Sequence, residues 1–388
     1  MKIALVGGRL ITPFRTIQTG TVVVEDGMIT ELGKSSEVEI PSECEVIDVS
    51  GKLVTPGFVD LLCHGGAGYG FADESPESIK KVSDYFITHG TTSLLASLYA
   101  KPHEMLLADL RRVADYIIAN PQSNLVGIHM EGPYLNKDLK GAMNEGYLWK
   151  PSVESWNAMW EASRGLIKIM TIAPELPGAI NVMRAAAKKG VVLSIGHSMA
   201  DYDQIEIAID NGAAHVTHMF NAMRPFHHRN PGVALAALNR QELKIELIAD
   251  TFHVHPAVME LLYKLKGPSG IILITDSIRA GGMHEGEYEF ADQKVYMKNE
   301  KAFLEDGTLA GSTLTLNLAI KNLVTKASAK ITDAVRMASL NGARVIRLSG
   351  QKGILAVGKD ADIVVMNEDF DVEMTILKGQ VAFKKVLQ

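Results

Sequence analysis

Histidines and carboxylates recur at one position along this chain, directly after short apolar runs. His64 follows the run 53–62, Glu131 follows 125–130 and His197 follows 191–195. His218 follows 213–217, Asp250 follows 245–249 with His253 three residues on, and Asp276 follows 271–274. Imidazole nitrogens and carboxylate oxygens are ligands for Zn2+ and similar divalent ions. A carboxylate beside such an ion can also carry protons. One such residue at a strand end is ordinary. All of them at one phase of a repeating unit imply a single polar centre assembled from distant parts of the chain. His215, His227, His228, His255 and His284 lack that phase and are not expected as ligands. His129 precedes Glu131 by two residues, so it points the same way and serves as support or as core.

The elements that must position these residues alternate. Eight β-type apolar runs (53–62, 92–98, 125–130, 167–172, 191–195, 213–217, 245–249 and 271–274) are separated mostly by helical patterns such as 75–88, 103–119 and 179–189. Ser75 followed by Pro76 is a helix start: an N-cap hydroxyl and a first-turn proline. Continuous apolar strands between helices predict a parallel sheet buried on both faces. Eight such units predict an α/β (β/α)8 TIM-type barrel, whose strand ends converge on one mouth. A doubly wound open sheet is the competing architecture. Both chain ends are β-rich, with Glu25-Asp26-Gly27 as a hairpin turn. Residues 1–53 and 356–388 are therefore expected to form a small β-sandwich domain, with 54–355 as the barrel. A further hairpin is expected around 287–304, after the last strand.

The chain has 388 residues, 47% hydrophobic and 22% charged, with a formal charge of −6. That composition is globular, and the charge gives no general attraction to nucleic acid or anionic membrane. Two cysteines, Cys44 and Cys63, cannot build a disulfide framework, and no leader or spanning segment is legible. A cytoplasmic protein is expected.

Several segments carry a family resemblance. Val54-Thr55-Pro56-Gly57-Phe58-Val59-Asp60, Glu131-Gly132-Pro133, Gly196-His197-Ser198, Thr217-His218-Met219-Phe220-Asn221-Ala222-Met223 and Thr275-Asp276 together resemble the N-acetylglucosamine-6-phosphate deacetylases. That family belongs to the metal-dependent amidohydrolases, and the tail 358–365 is similar to the closing strand of many of them. The resemblance implies one divalent metal per subunit, Zn2+ first and Fe2+ or Co2+ as alternatives, held by Glu131, His197 and His218. It implies Asp276 as general acid and base, with a metal-activated water releasing acetate and glucosamine 6-phosphate. It further implies substrate contacts from Asn221, Ala222, Arg229, Ala142 and Leu309, with Arg229 on the phosphate. His253 would reach the site of a neighbouring subunit in a homodimer.

Two positions depart from the family pattern. Leu62 stands where a two-metal site has its first histidine, which leaves His64 as a metal or substrate contact; alternation turns Cys63 away. Met143 in Gly141-Ala142-Met143 stands where the family usually carries a histidine. A cyclic-amide hydrolase and a catalytically inactive binding relative are the competing functions.

Overall fold

The computed structural model describes residues 2–386. Its central feature is a run of parallel strands in chain order: β1 (Phe58–Asp60), β2 (Thr91–Tyr99), β3 (Leu125–Glu131), β4 (Ile167–Ile172), β5 (Val192–Ile195), β6 (Ala213–Val216), β7 (Lys244–Ile248) and β8 (Ile271–Ile274). Each is hydrogen-bonded to its chain neighbour, so strand order never reverses. A doubly wound sheet would show a reversal. The first and last strands also meet. Thr275 Oγ1 donates to Asp60 Oδ2 at 2.6 Å, and Asp276 N donates to Leu62 O at 2.8 Å. Cys63 and Ser277 form a parallel bridge.

Helices connect the strands and cover the sheet. Pro76–Thr88 starts as expected, with the Ser75 hydroxyl accepting from Glu77 N at 3.2 Å. Tyr202–Asp210 starts on a reciprocal box between Asp201 and Gln204. Every residue of β2 is buried, which is why these strands read as unbroken apolar runs. Their outer side chains join Val82, Phe86, Leu110, Trp156 and Val182 from the helices in one core.

The two chain ends share a second sheet. Lys2–Ile11 pairs with Thr16–Glu25, with Glu45–Asp48 and with Leu53–Pro56; the last pairs in turn with Ile363–Met366 from the C-terminal region. Ile3, Leu5, Val22, Val54, Ile363 and Ile376 fill its own core.

The expected strand 53–62 is two strands. Leu53–Pro56 belongs to the terminal sheet and Phe58–Asp60 to the parallel one. Both halves are buried, so hydropathy does not mark the break. Gly57 makes it. A Cβ there would lie 2.0 Å from Thr92 Oγ1, and Gly57 N donates to Asp362 O at 2.8 Å.

The hairpin expected at 287–304 is a three-stranded antiparallel unit: Gly286–Phe290, Gln293–Lys298 and Lys301–Phe303. It leans over the strand ends, with the Phe290 ring 5.1 Å from that of His64. No helix among the described residues is long and apolar enough to cross a membrane.

Candidate metal centre

Glu131 ends β3, and His197 and His218 follow β5 and β6. Parallel neighbours bring the three together. Nε2 of His197 and of His218 lie 3.1 and 3.2 Å from Glu131 Oε1, and 3.1 Å from each other. All three side chains are buried. The far ring nitrogens face backbone carbonyls: His197 Nδ1 is 2.7 Å from Leu139 O, and His218 Nδ1 is 3.2 Å from Asn221 O. A carbonyl only accepts, so each Nδ1 carries a proton and leaves Nε2 as the atom turned inward. Two imidazole nitrogens and a carboxylate at these distances favour positive charge among them, whether a proton or a metal ion supplies it. Burial disfavours a charged imidazole at His218, yet the Glu131 carboxylate pushes its pKa up to about 9. The donor set therefore fits a divalent metal of the Zn2+ type.

The backbone is bent to aim these groups. His197, His218 and Asp276 have φ of 49°, 28° and 51°, in the left-handed region. Such conformations cost on the order of 1–3 kcal/mol each and persist only where the surroundings fix them. Asp276 is held on both sides, by the Leu62 carbonyl and by Ser312 N donating to its carbonyl at 2.8 Å. Glu175 secures the segment after His197, accepting from Ser198 Oγ at 2.7 Å and Met199 N at 2.7 Å. Gly141 lets the neighbouring loop close in. Its φ is 57°, and a Cβ there would lie 3.3 Å from His197 Cε1.

Asp276 and His64 complete the floor. His64 Nε2 stands 3.0 Å from Glu131 Oε2 and 3.5 Å from Asp276 Oδ1. Burial, then the Glu131 charge, raise the Asp276 pKa above its ordinary value. Cys63 points elsewhere, its Sγ 3.7 Å from Gly65 O, and Leu62 is fully buried with no donor atom to offer.

These groups open into a cavity of about 480 Å³. Asn221, Ala222, Ala142, Leu309 and His253 line it, as does Met143. The Asn221 N–H donates to His218 O at 2.9 Å, while the residue itself still lines the cavity. His253 lines the cavity of its own chain, its Nδ1 2.6 Å from Asp250 Oδ2. Arg229 does not line the cavity; it is exposed, with Nη1 2.9 Å from His228 Nε2. Two cations that sequence reasoning passed over, Lys137 and Lys140, do line it. They sit on an irregular loop, where no periodicity points to a site. His129, fully buried, bonds Leu61 O and Thr171 Oγ1 and supports the strands from within.

Residues 53–382 match the amidohydrolase family. N-acetylglucosamine-6-phosphate deacetylase of Bacillus subtilis is 35% identical over 378 residues, covering 96% of this chain and 95% of that one. The chain belongs to the N-acetylglucosamine-6-phosphate deacetylase family. A deacetylase of that family from Mycobacterium smegmatis, solved as an Asp-to-Ala variant with N-acetyl-D-glucosamine 6-phosphate, superposes with a TM-score of 0.93 at 30% identity. The match covers 99% of this chain and 100% of that one. An N-acetylgalactosamine-6-phosphate deacetylase of Escherichia coli O157:H7 is 31% identical, covering 96% of this chain and 97% of that one. This chain combines a Glu-His-His cluster with Leu62 and Met143, neither of which offers a nitrogen or oxygen side-chain ligand.

Proposed function

We propose that this chain hydrolyses the N-acetyl group of N-acetylglucosamine 6-phosphate to acetate and glucosamine 6-phosphate. The observation that carries the reading is the convergence of Glu131 Oε1 with His197 and His218 Nε2, with Asp276 beside them at the floor of the mouth cavity. Those three atoms would hold one metal ion, Zn2+ in the first place; Fe2+ or Co2+ suit the same donors. When bound, such an ion polarises an amide carbonyl and acidifies a water. Asp276 takes the water proton on its carboxylate and returns it to the departing sugar nitrogen. His64 steadies Glu131 and Asp276 from the third side. Leu62 argues against a second metal.

At the phosphate end the reading uses the Ala222 N–H, Lys137, Lys140 and His253 of the same chain. Arg229 lies outside the cavity and would act there only if a second copy brought it in, which ties its role to a homodimer. Free Cys44 and Cys63 suit a reducing, cytoplasmic setting. The reading takes the parallel sheet as a barrel closed between β1 and β8, and the bonds from Thr275 to Asp60 support it. The reading keeps a terminal β domain, expected over 1–53 and 356–388, beside a barrel expected over 54–355; the single terminal sheet, which takes in Leu53–Pro56, supports the pairing of the two chain ends. Pairing of Leu53–Pro56 with the terminal sheet moves the first crossing to Gly57.

Acetate release from N-acetylglucosamine 6-phosphate tests the activity, with N-acetylgalactosamine 6-phosphate, dihydroorotate and hydantoin alongside. Turnover of a cyclic amide without acetate release would replace this reading, and no turnover of any would leave a binding protein. Lys137→Ala and Arg229→Ala should each cost about tenfold or more in kcat/KM on the phosphorylated sugar, the loss expected of a charge-assisted hydrogen bond. Equal losses on the unphosphorylated sugar would remove that residue from phosphate recognition.

A further inference from the structure

The opposite end of the parallel sheet carries a second cavity, of about 390 Å³. It opens where β5, β6, β7 and β8 begin, beside the helix Leu340–Val345. It shares no lining residue with the mouth cavity. A volume of this size suits a small molecule.

Its charge is unbalanced. Lys244, Arg336 and Arg344 line it against one carboxylate, Glu242. None of the three cations forms an ion pair among the described residues. Arg336 Nε reaches Asn341 Oδ1 only at 3.4 Å, with its guanidinium 5.4 Å over the Phe14 ring. Lys244 Nζ donates to Gln241 O at 3.1 Å. The Arg344 guanidinium has no hydrogen-bond partner among the described residues, and its charge acts unfavourably on Arg336. Asp333, the carboxylate that acts on Arg336, is engaged by the Tyr263 hydroxyl at 2.5 Å. Guanidinium groups are shaped to bind oxyanions with paired hydrogen bonds.

A second observation points into the same cavity. His215 on β6 is fully buried and lines it, yet neither ring nitrogen has a hydrogen-bond partner among the described residues. Its carboxylate neighbour, Glu246, stays 3.6 Å away. Burial, the His129 ring and Lys244 lower its pKa to about 3, so the ring is a neutral imidazole offering one donor and one acceptor. A buried polar group of this kind is costly unless something bonds it. Ile272 and Val345 supply apolar walls between the two polar ends.

We propose that this cavity binds a small phosphorylated polyhydroxy molecule, its oxyanion on Arg336, Arg344 and Lys244 and a hydroxyl on His215. The ligand sits at the end of the sheet remote from Asp276, so it does not compete with substrate.

Calorimetric titration with glucose 6-phosphate, inorganic phosphate and sorbitol tests this on the full chain. Glucose 6-phosphate should bind at least about tenfold more weakly to R344E and to R336Q, one charge-assisted hydrogen bond's worth, and undiminished to the mouth-cavity variant H253A. Arg344 is exposed and its guanidinium has no partner among the described residues, so R344E keeps the fold even if R336Q does not. Inorganic phosphate should bind more weakly than the sugar phosphate, and sorbitol more weakly still. No heat with glucose 6-phosphate up to about 10 mM, beyond the range of ordinary specific sites, would overturn the proposal. So would equal affinity in wild type and R344E, or loss of the binding in H253A. Inorganic phosphate binding as tightly as the sugar phosphate would overturn the polyhydroxy assignment.

Discussion

Asp276 separates a hydrolase from a protein that merely holds a metal. Its backbone is fixed by Leu62 and Ser312, so Asp276→Asn should leave fold and metal content intact. Turnover should fall by ~10²–10⁴, the usual contribution of a general acid–base group. Near-normal turnover would remove Asp276 from the chemistry, and loss of metal with activity would make it a ligand. At this scale the sequence was informative wherever a strand fixes the direction. His64, Glu131, His197, His218 and Asp276 stand out because strand ends of a parallel sheet share one side. Lys137 and Lys140 did not, since their approach depends on how an irregular loop folds back over Gly141. Glu175 was equally silent: it reads as one more surface acid, though it fixes Ser198 and Met199.

Secondary-structure elements were legible by period and by cap, and least so where two buried pieces abut. The run 53–62 looks continuous because both sheets bury their share of it. Gly57→Ala should push a Cβ into Thr92 and cost ~1–3 kcal/mol, as overpacking does, measured by chemical denaturation. Thr92→Ala in the same chain should return part of that loss; no recovery would place the strain elsewhere. The helix Pro256–Lys266 ends on a second test. Lys266 is buried, with Nζ donating to Arg240 O at 2.7 Å. Burial, then the Lys244 charge, lower its pKa to about 8. An unfolded lysine holds its proton to a pKa of about 10.4, so between those values the unfolded state binds more protons. Wild-type stability should therefore gain on a Lys266→Met variant as pH rises from 8 towards 10. The difference in melting temperature, variant minus wild type, should be a few degrees larger at pH 7 than at pH 10, of the order of 2–4 °C per kcal/mol. A difference independent of pH would mean that Lys266 titrates normally.

Over the whole molecule, the pairing of both termini in one sheet was legible from two β-rich ends around an alternating middle. The net charge of −6 was a weaker guide, since cations are concentrated locally at both ends of the parallel sheet. Across the mouth, Glu131, His197 and His218 come together from three separate strand ends as a possible metal site. Leu62 offers no donor, so dialysed protein should retain about one divalent ion per chain by elemental mass spectrometry, the occupancy a single three-ligand catalytic site predicts. A stable value near two would show that His64 completes another site. Chelation should abolish turnover without unfolding the chain, because a large apolar core shared by the parallel strands and their helices holds the fold. The melting temperature should nevertheless fall, since an ion that binds only the folded state adds RT ln(1 + [M]/Kd), about 2.7 kcal/mol at a hundredfold excess over Kd. Returning Zn2+ should restore both properties together. Recovery of thermal stability with no recovery of activity would mean that Glu131, His197 and His218 hold a structural ion, and that the chemistry lies with another.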